Sequence, residues 1–391
     1  MIVRTGRVVS LAVMMSVVAV ACSGGGTSSV APTTASAAAP PTKAPTSTAA
    51  PDPSPLIDPG ELLSGGPPPD GIPPVDHPKF LAPADVTFLT PQEPVIAVEV
   101  DGIAKAYPIR ILMWHEIVND DFGGTPVVVT YCPLCNTGIA YLRPKIDGEL
   151  LDFGTSGKLY HSNLVMYDRQ TDSFWPQAIG QAVIGPLTGT QLKFVPARIL
   201  SWADWQSAYP DGLVLSTDTG FDRDYGSNPY AGYDGTERPF LFSGDVDPRL
   251  PATEHVLGIA GKGGVIAFPY SELARRAAGG ATAVQGVFGG ERTVVFWHAG
   301  TVSALDAEQI PQSEDVGAAA AYVPASAGQQ LTFSVQDGRI IDGETGSQWS
   351  IDGRAIAGPL AGTQLKVALA IDSFWFDWAA FHPDTKILGV G

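Results

Sequence analysis

The sequence predicts a β-rich α+β protein built from two tandem homologous repeats that pack as one pseudo-symmetric globular unit. Three observations lead to this prediction. A long segment from the middle of the chain returns near its end, most apolar runs are short and broken by Gly, Pro, Asp or Thr, and helical periodicity is confined to short pieces. The chain has 391 residues, 45% of them hydrophobic, so it can bury a large core.

The repeat consists of matching segments in the same order. "GPLTGTQLKFVPARILSWADWQSAYPDGLVL" begins at Gly185, and "GPLAGTQLKVALAIDSFWFDWAAFHPDTKIL" begins at Gly358. Further upstream, "VVVTYC" matches "TVVFWH" and "TDSFWPQ" matches "TGSQWSI". An ordered series of matches predicts a duplication, with the first repeat over residues 76–250 and the second over 251–391.

Local patterns predict the individual elements. "VIAVEVDGIAKAYPI" predicts a β-hairpin whose turn is Asp101 and Gly102, because the Asp-Gly pair accepts the left-handed conformation of a two-residue turn. The apolar run "PVVVTY" predicts a buried strand that ends at Tyr131. Short helices are expected within "IRILMWHEIVND", "SWADWQSAYP" and "YSELARRAAG".

The N-terminus predicts export and anchoring. Residues 1–21 combine two arginines with an uncharged apolar run, which is typical of a secretory signal peptide. The following Cys22 is the expected lipidation site of a bacterial lipoprotein, which would place the protein at the cell membrane on its extracytoplasmic face. Residues 22–75 are rich in Pro, Ala, Ser and Thr and are expected to form a disordered tether.

The charge and the cysteine content limit the classes of function. A formal net charge of −17 makes nucleic acid an unsuitable partner, since its phosphates would be repelled. With only three cysteines, the fold cannot depend on a network of disulfides. A small molecule or a protein partner of unknown identity remains compatible with this composition.

The stretch "TYCPLCNTG" contains Cys132 and Cys135, the two cysteines outside the leader. Three interpretations stay open. The pair can ligate a metal or cofactor, since thiolates bind Zn²⁺ and copper well. It can undergo redox exchange, as Cys-x-x-Cys pairs do. Alternatively, it can fix the turn without chemistry.

A metal site requires further ligands, and histidines are the natural candidates. His298 ends the second-repeat strand that matches the strand ending at Cys132, so the two positions are expected to approach each other. His115 precedes the cysteine pair and His161 follows it. The predicted site for copper or zinc therefore comprises Cys132, Cys135, His115, His161 and His298. Further binding candidates are Trp114, Lys158, Met166, Arg223 and Asp224.

Several blocks resemble a known family. "MWHEIVND", "VVVTYCPLCNTGIAY", "FGTSGKLYHSNLVMYDRQTDSFWPQ" and "DTGFDRDYGSNPYAGY" are similar to the signature blocks of a secreted bacterial and archaeal family, the domain of unknown function thirty-one seventy-nine. The resemblance implies an exported, often lipid-anchored, two-repeat domain, and it implies no activity. His161 stands where this family more usually has Asn.

These observations predict an extracytoplasmic lipoprotein that binds a metal or cofactor at the "CPLC" loop, with redox activity as a further option. The alternative is a non-catalytic cell-envelope module that binds a ligand or partner and has a structural cysteine pair. Whether the protein is an enzyme is left open by the sequence.

Overall fold

Short strands joined by tight turns make up most of the fold in the computed structural model, which describes residues 52–389. The predicted signal peptide, the lipidation site Cys22 and the predicted tether up to residue 51 lie outside the described residues. Within residues 52–389, no helix has the length and apolar character needed to cross a membrane.

The described residues contain four α-helices of seven residues each: α1 (Ile109–His115), α2 (Trp202–Ala208), α3 (Tyr270–Arg276) and α4 (Trp375–Phe381). The strands of the first half are β1 (Leu63–Ser64), β2 (Phe80–Leu81), β3 (Pro94–Val100), β4 (Ile103–Pro108), β5 (Ile117–Phe122), β6 (Thr125–Cys132), β7 (Thr137–Leu142), β8 (Lys145–Ile146), β9 (Glu149–Leu150), β10 (Phe153–Tyr160), β11 (Asn163–Asp168), β12 (Phe174–Pro176), β13 (Lys193–Val195), β14 (Ala197–Ser201) and β15 (Leu213–Leu215). Those of the second half are β16 (His255–Gly261), β17 (Gly264–Pro269), β18 (Ala281–Phe288), β19 (Glu291–His298), β20 (Ala318–Tyr322), β21 (Ala325–Ser326), β22 (Gln329–Gln330), β23 (Phe333–Gln336), β24 (Arg339–Asp342), β25 (Gln348–Trp349), β26 (Ala355–Ala357), β27 (Ile371–Phe374) and β28 (Lys386–Ile387). The prediction of a β-rich α+β protein is confirmed.

The predicted hairpin and buried strand are present. Strands β3 and β4 pair antiparallel around Asp101 and Gly102, whose φ angles are 51° and 79°. Such positive angles are the reason why the turn requires an Asp-Gly pair. The predicted helix at "IRILMWHEIVND" ends at His115, after which the chain enters strand β5.

The sheets of the two halves have related strand orders. The first half contains the sheets β14-β3-β4-β15-β2, β13-β7-β6-β5 and β1-β10-β11-β12. The second half contains the sheets β27-β16-β17-β28, β18-β19-β20 and β23-β24-β25-β26. In each half a late strand joins the leading hairpin in parallel, β15 beside β4 and β28 beside β17.

The halves share their hydrophobic cores. Strand β14 of the first half packs against β20 of the second, and β27 of the second packs against β7 of the first. One core joins Trp202 and Trp205 to Phe296 and Tyr322 across the two halves. Another core brings Phe374 of the second half to the strands that carry the cysteines. This exchange places residues of α4 beside the "CPLC" loop.

The final part of the predicted tether belongs to the fold, so the expectation that the tether extends to residue 75 is wrong there. The Val75 side chain is 1% exposed, and its backbone bonds to Ile117 and Asn119 of strand β5. Leu62 is also buried, and β1 pairs with β10. A Pro-rich segment can add itself in extended form to the edge of a sheet while a few apolar side chains enter the core.

Candidate functional site

The "CPLC" stretch forms the connection of the β6–β7 hairpin. Cys132 ends β6, and the Cys135 N–H donates a 3.2 Å hydrogen bond to the Cys132 carbonyl, which closes a β-turn with Pro133 at its second position. Asn136 then adopts a φ of 49°, a conformation that Asn tolerates better than most residues. The cysteines therefore lie on a strand-to-strand turn and not at the start of a helix.

Both thiols are free, buried and directed at one acceptor. The Cys132 and Cys135 side chains are 2% and 0% exposed. The Ser162 carbonyl oxygen lies 3.9 Å from the sulfur of Cys132 and 3.5 Å from that of Cys135. The two sulfur atoms are consequently near neighbours on the same side of the turn.

The Ser162 carbonyl is held there by an unusual turn between β10 and β11. His161 and Ser162 both have left-handed backbones, with φ of 53° and 69°. A two-residue hairpin turn requires these angles, which are costly for residues other than Gly, Asn and Asp. The requirement gives a physical reason why Asn would suit position 161.

Helix α4 of the second half contributes a carboxylate. Asp377 is 2% exposed and lies close enough to the Cys135 thiol for each group to shift the pKa of the other. Its hydrogen-bond donors are Ser373 Oγ at 2.8 Å, Asn163 Nδ2 at 3.1 Å and Thr137 Oγ1 at 3.4 Å. The Phe374 N–H donates to the Cys135 carbonyl at 2.8 Å, which fixes α4 to the turn.

A buried amide completes this polar cluster. Gln177 Nε2 donates to Thr130 Oγ1 and to the Thr137 carbonyl, both at 2.9 Å. Asn163 Nδ2 lies 3.3 Å from Gln177 Oε1. Because buried polar groups that all have partners hold one another in place, this network stabilises a single orientation of the Asp377 carboxylate.

On the other side of the turn lies a histidine that the sequence did not indicate. His255 Nδ1 is 3.0 Å from Asn136 Nδ2, and His255 Nε2 is 3.4 Å from Asp234 Oδ2. An amide nitrogen can only donate a hydrogen bond, so His255 Nδ1 accepts the one from Asn136. The ring proton is then on Nε2, which donates a hydrogen bond to Asp234. His255 therefore orients Asn136, whose Oδ1 accepts from the Tyr131 hydroxyl at 2.9 Å.

Burial sets the protonation of the centre. It raises the pKa of the Cys135 thiol well above its usual range, and the neighbouring Cys132 and Asp377 add to this. Burial also raises the pKa of Asp377 to about 6, against the lowering effect of its hydrogen-bond donors. At neutral pH the resting centre therefore pairs a protonated Cys135 with an Asp377 that is mostly ionised and can accept a proton.

The predicted histidine ligands occupy separate places. His115 bonds through Nδ1 to the Pro73 carbonyl at 2.7 Å and through Nε2 to the Tyr225 hydroxyl at 2.5 Å. The His161 ring lies among Tyr160, Phe242 and Phe381. Burial lowers the pKa of both rings. His298 ends β19, with its Nδ1 buried and unpartnered among the described residues.

No group of three or more His, Cys, Asp or Glu side chains within residues 52–389 is arranged to hold a metal ion. His161 is next to Ser162 in the chain, so it lies at the edge of the thiol centre. The hydrogen bonds and ring contacts of His115 and His298, within the same residues, do not include either cysteine. The five predicted ligands are thus not brought together as one cluster in this structure.

The other predicted binding residues are also dispersed. Met166 is fully buried in the core around β11, and Trp114 is half-buried, with an indole nitrogen that has no hydrogen-bond partner in the part of the chain that the structure describes. Arg223 donates to the Asp222 carbonyl in a surface loop that also contains the exposed Asp224. Lys158 lines a pocket beside the "CPLC" turn.

Sequence reasoning missed the second-half residues Asp377 and His255. The sequence contains one signal for Asp377, since the block "DSFWFDWAAF" in the second half corresponds to "ILSWADWQSA" in the first. The first-repeat counterpart of Asp377 is Asp204, which accepts from Ser201 Oγ at the start of α2. A comparison of the repeats identifies the position but does not reveal that its partner is Cys135.

Together, the fold and this site define a β-rich α+β protein with a buried dithiol turn at the contact between its halves. The family model described as "Protein of unknown function (DUF3179)" matches residues 69–385, which is most of the chain. The chain therefore belongs to this family, as its sequence blocks indicate. No curated protein and no solved structure shows significant similarity to it.

Proposed function

We propose that Cys132 and Cys135 form a redox-active dithiol centre that exchanges with external disulfides. The observation that carries the proposal is the convergence of both thiols on the Ser162 carbonyl within one hydrogen-bonded β-turn. A β-turn brings its first and fourth Cα atoms to within about 7 Å, and disulfides span about 4.4–6.8 Å between Cα atoms. The turn is thus compatible with a Cys132–Cys135 disulfide.

The exchange can be written with the residues present. Cys132 releases its proton to solvent, and its thiolate attacks one sulfur of the external disulfide, which breaks that bond and expels the first substrate thiolate. Cys135 then gives its proton to the Asp377 carboxylate and attacks the Cys132 sulfur, which expels the second substrate thiolate. One thiolate takes up a proton from solvent and the other takes up the proton held by Asp377, which returns to its carboxylate form. The protein gains one disulfide, and the substrate is reduced by two electrons and takes up two protons.

Access to the thiols requires movement of the segment that lies over the turn. Ser162 Oγ donates to the Phe240 carbonyl at 2.5 Å, and the Phe240 N–H donates to the Tyr233 hydroxyl at 3.1 Å. The Phe240 side chain itself is 53% exposed. We infer that a substrate disulfide displaces the segment from Tyr233 to Phe240 in order to reach Cys132.

The test is alkylation followed by intact mass measurement in a Cys22→Ser background, where only Cys132 and Cys135 can react. After incubation with oxidised glutathione, the protein should have no alkylatable thiol, and a reductant should restore two. Asp377→Asn should slow disulfide formation at neutral pH. Asp372→Asn is the matched control, because Asp372 is also buried, also has a pKa of about 6, and bonds to Tyr270 instead of a cysteine. Equal rates for the two variants would remove Asp377 from the mechanism.

Binding of a thiophilic metal ion is the second candidate function. The two thiols converge on the Ser162 carbonyl, and as thiolates they would supply two of the soft ligands that copper(I) and Zn²⁺ prefer. The remaining ligands would have to come from solvent or from a bound molecule, because residues 52–389 arrange no third His, Cys, Asp or Glu side chain with them. Elemental analysis of the purified protein, and of Cys135→Ser, tests this. A bound metal that is lost in the variant supports this candidate over disulfide exchange.

We also propose that the two halves are pseudo-symmetric products of a duplication. Asp168 accepts from Thr171 and Trp175, and Asp342 accepts from Thr345 and Trp349 in the same pattern. The reciprocal packing of β14 with β20 and of β27 with β7 supports the same proposal. Since only the first half has the cysteines, the second half acts as the support that supplies Asp377 and His255.

Finally, we propose that the protein is an extracytoplasmic lipoprotein attached to the membrane through Cys22. The support is the N-terminal sequence of an apolar run that follows basic residues and ends at Cys22. Cys22→Ser should release the protein into the soluble extracytoplasmic fraction. Retention of the variant in the membrane fraction would contradict the proposal.

A further inference from the structure

A second feature of the site region is a pocket of about 210 Å³ beside the "CPLC" turn. Leu134 of the turn, Leu159, Leu164 and Phe240 give it largely apolar walls. Glu116, Lys158 and Tyr230 are the titratable residues that line it. The thiols themselves face Ser162 and Asp377, so the pocket is a separate space.

Glu116 is the unusual residue in this pocket. Its side chain is only 8% exposed, and no hydrogen bond or ion pair joins its carboxyl group to another side chain or backbone group within residues 52–389. Its backbone has a φ of 58° and a ψ of −31° directly after α1, a region that a residue with a long side chain rarely adopts. Buried polar groups normally have partners, and strained backbones concentrate at functional sites.

The protonation of Glu116 follows from its surroundings. Burial raises its pKa to about 8, so at neutral pH it is mostly a carboxylic acid that can donate a hydrogen bond. Burial likewise raises the pKa of Tyr230, which therefore stays protonated. The Lys158 ammonium lies 5.8 Å from the centre of the Phe174 ring, and Phe174 does not line the pocket.

We propose that this pocket binds a small neutral molecule, mainly apolar, whose carbonyl-type oxygen accepts a hydrogen bond from Glu116. Apolar walls favour a hydrophobic body, and the unpartnered acid supplies one directional contact, as in other small-molecule sites. A cationic ligand is disfavoured because Glu116 would have to ionise in apolar surroundings to pair with it. An anionic ligand is disfavoured because the Lys158 ammonium group, its natural partner, lies over the Phe174 ring.

Three probes that share one aromatic ring test this proposal on the full-length protein by ligand-observed NMR: acetophenone, benzylammonium and benzoate. Acetophenone should bind most tightly at pH 7, and its affinity should fall about tenfold by pH 9, when most Glu116 side chains have lost their proton. Glu116→Gln keeps an N–H donor, so it should bind acetophenone without this pH dependence. Glu116→Met should lose the binding. A Cys135→Ser variant should bind as wild type does, which separates the pocket from the dithiol chemistry.

Tighter binding of benzylammonium or of benzoate would overturn the proposal, as would the absence of binding by all three probes. Wild-type binding by Glu116→Met would also overturn it. Should Glu116→Met fail to fold, as judged by its thermal unfolding, the pH dependence of the wild-type protein and of Glu116→Gln still decides the matter.

Discussion

Asp377 makes the stability of the protein depend on pH in a defined direction. Its pKa is about 6 in the folded state, above the ordinary aspartate value, because burial disfavours its charge. At a pH between these two pKa values, Asp377 keeps its proton in the folded state but has already lost it in the unfolded state. The stabilisation that this proton gives the folded state is fully present below the pKa of the unfolded chain, and it is lost as the pH rises through about 6.

Asp377→Asn removes this titration. Between about pH 4 and pH 7, the free energy of unfolding of the wild type should fall by about 2.4 kcal/mol relative to that of the variant. Urea unfolding at a series of pH values measures the difference. A constant difference across this range would show that the carboxyl group is not buried as described.

The turn at His161 and Ser162 provides a second test at the residue scale. Both residues have left-handed backbones, which Asn accepts at lower cost than His or Ala. His161→Asn and His161→Ala both remove the imidazole ring. The difference in stability between these two variants therefore reports the cost of the left-handed backbone at position 161. The Asn variant should be more stable than the Ala variant by about 0.5–1 kcal/mol in denaturant unfolding. Equal stability would mean that the turn relaxes to another conformation.

At the scale of elements, the segment before residue 76 acts as an added edge of the first half. Val75 forms a parallel bridge to Val118 of β5 and is 1% exposed. Leu56 donates its N–H to the Val183 carbonyl at 2.9 Å. These contacts extend along most of the segment, so its removal uncovers the edge of β5 and part of the core.

A chain that begins at His77 should therefore be less stable than one that begins at Asp52. The truncation deletes Val75 and with it the burial of its side chain, which is worth about 1.5–3 kcal/mol, and the lost backbone hydrogen bonds add to this. Thermal or urea unfolding of the two proteins measures the loss. Identical midpoints would show that residues 52–76 do not pack as described.

The elements were largely predictable from local sequence, whereas the site was not. The hairpin at Asp101 and the strand that ends at Cys132 follow from turn chemistry and apolar runs within a few residues. Asp204 and Asp377 have similar neighbours in sequence, but Asp204 accepts a hydrogen bond from Ser201, the N-cap of its own helix, and Asp377 lies beside Cys135. That difference depends on how the halves pack over more than 200 residues of chain, which local pattern does not encode.

The predicted histidine ligands show the same limit. His298 was expected near Cys132 because the two strands that carry them match. In the structure the histidine that approaches the turn from the second half is His255, at the start of strand β16, which belongs to a different sheet from β19. Two strands with similar sequences need not have their ends close together, because the distance between the ends depends on how the sheets that contain them pack.

At the scale of the whole molecule, each half completes the core of the other. Phe374 and Phe376 belong to the core of the cysteine-bearing strands, and Phe296 and Tyr322 pack with first-half residues. Residues 52–250 and 251–391 produced separately should each lack a cooperative unfolding transition. Co-expression should restore one transition, as measured by urea denaturation. Independent cooperative folding of either half would contradict this shared core.

The reversible oxidation of Cys132 and Cys135 is the central claim, and a redox titration tests it most directly. The Cys22→Ser protein is equilibrated in buffers of increasing ratio of oxidised to reduced dithiothreitol, quenched with an alkylating reagent and weighed. The claim predicts that both thiols disappear together in one reversible two-electron transition, and that Cys132→Ser and Cys135→Ser each retain one alkylatable thiol throughout. Two thiols that stay reduced and alkylatable at every ratio would contradict it.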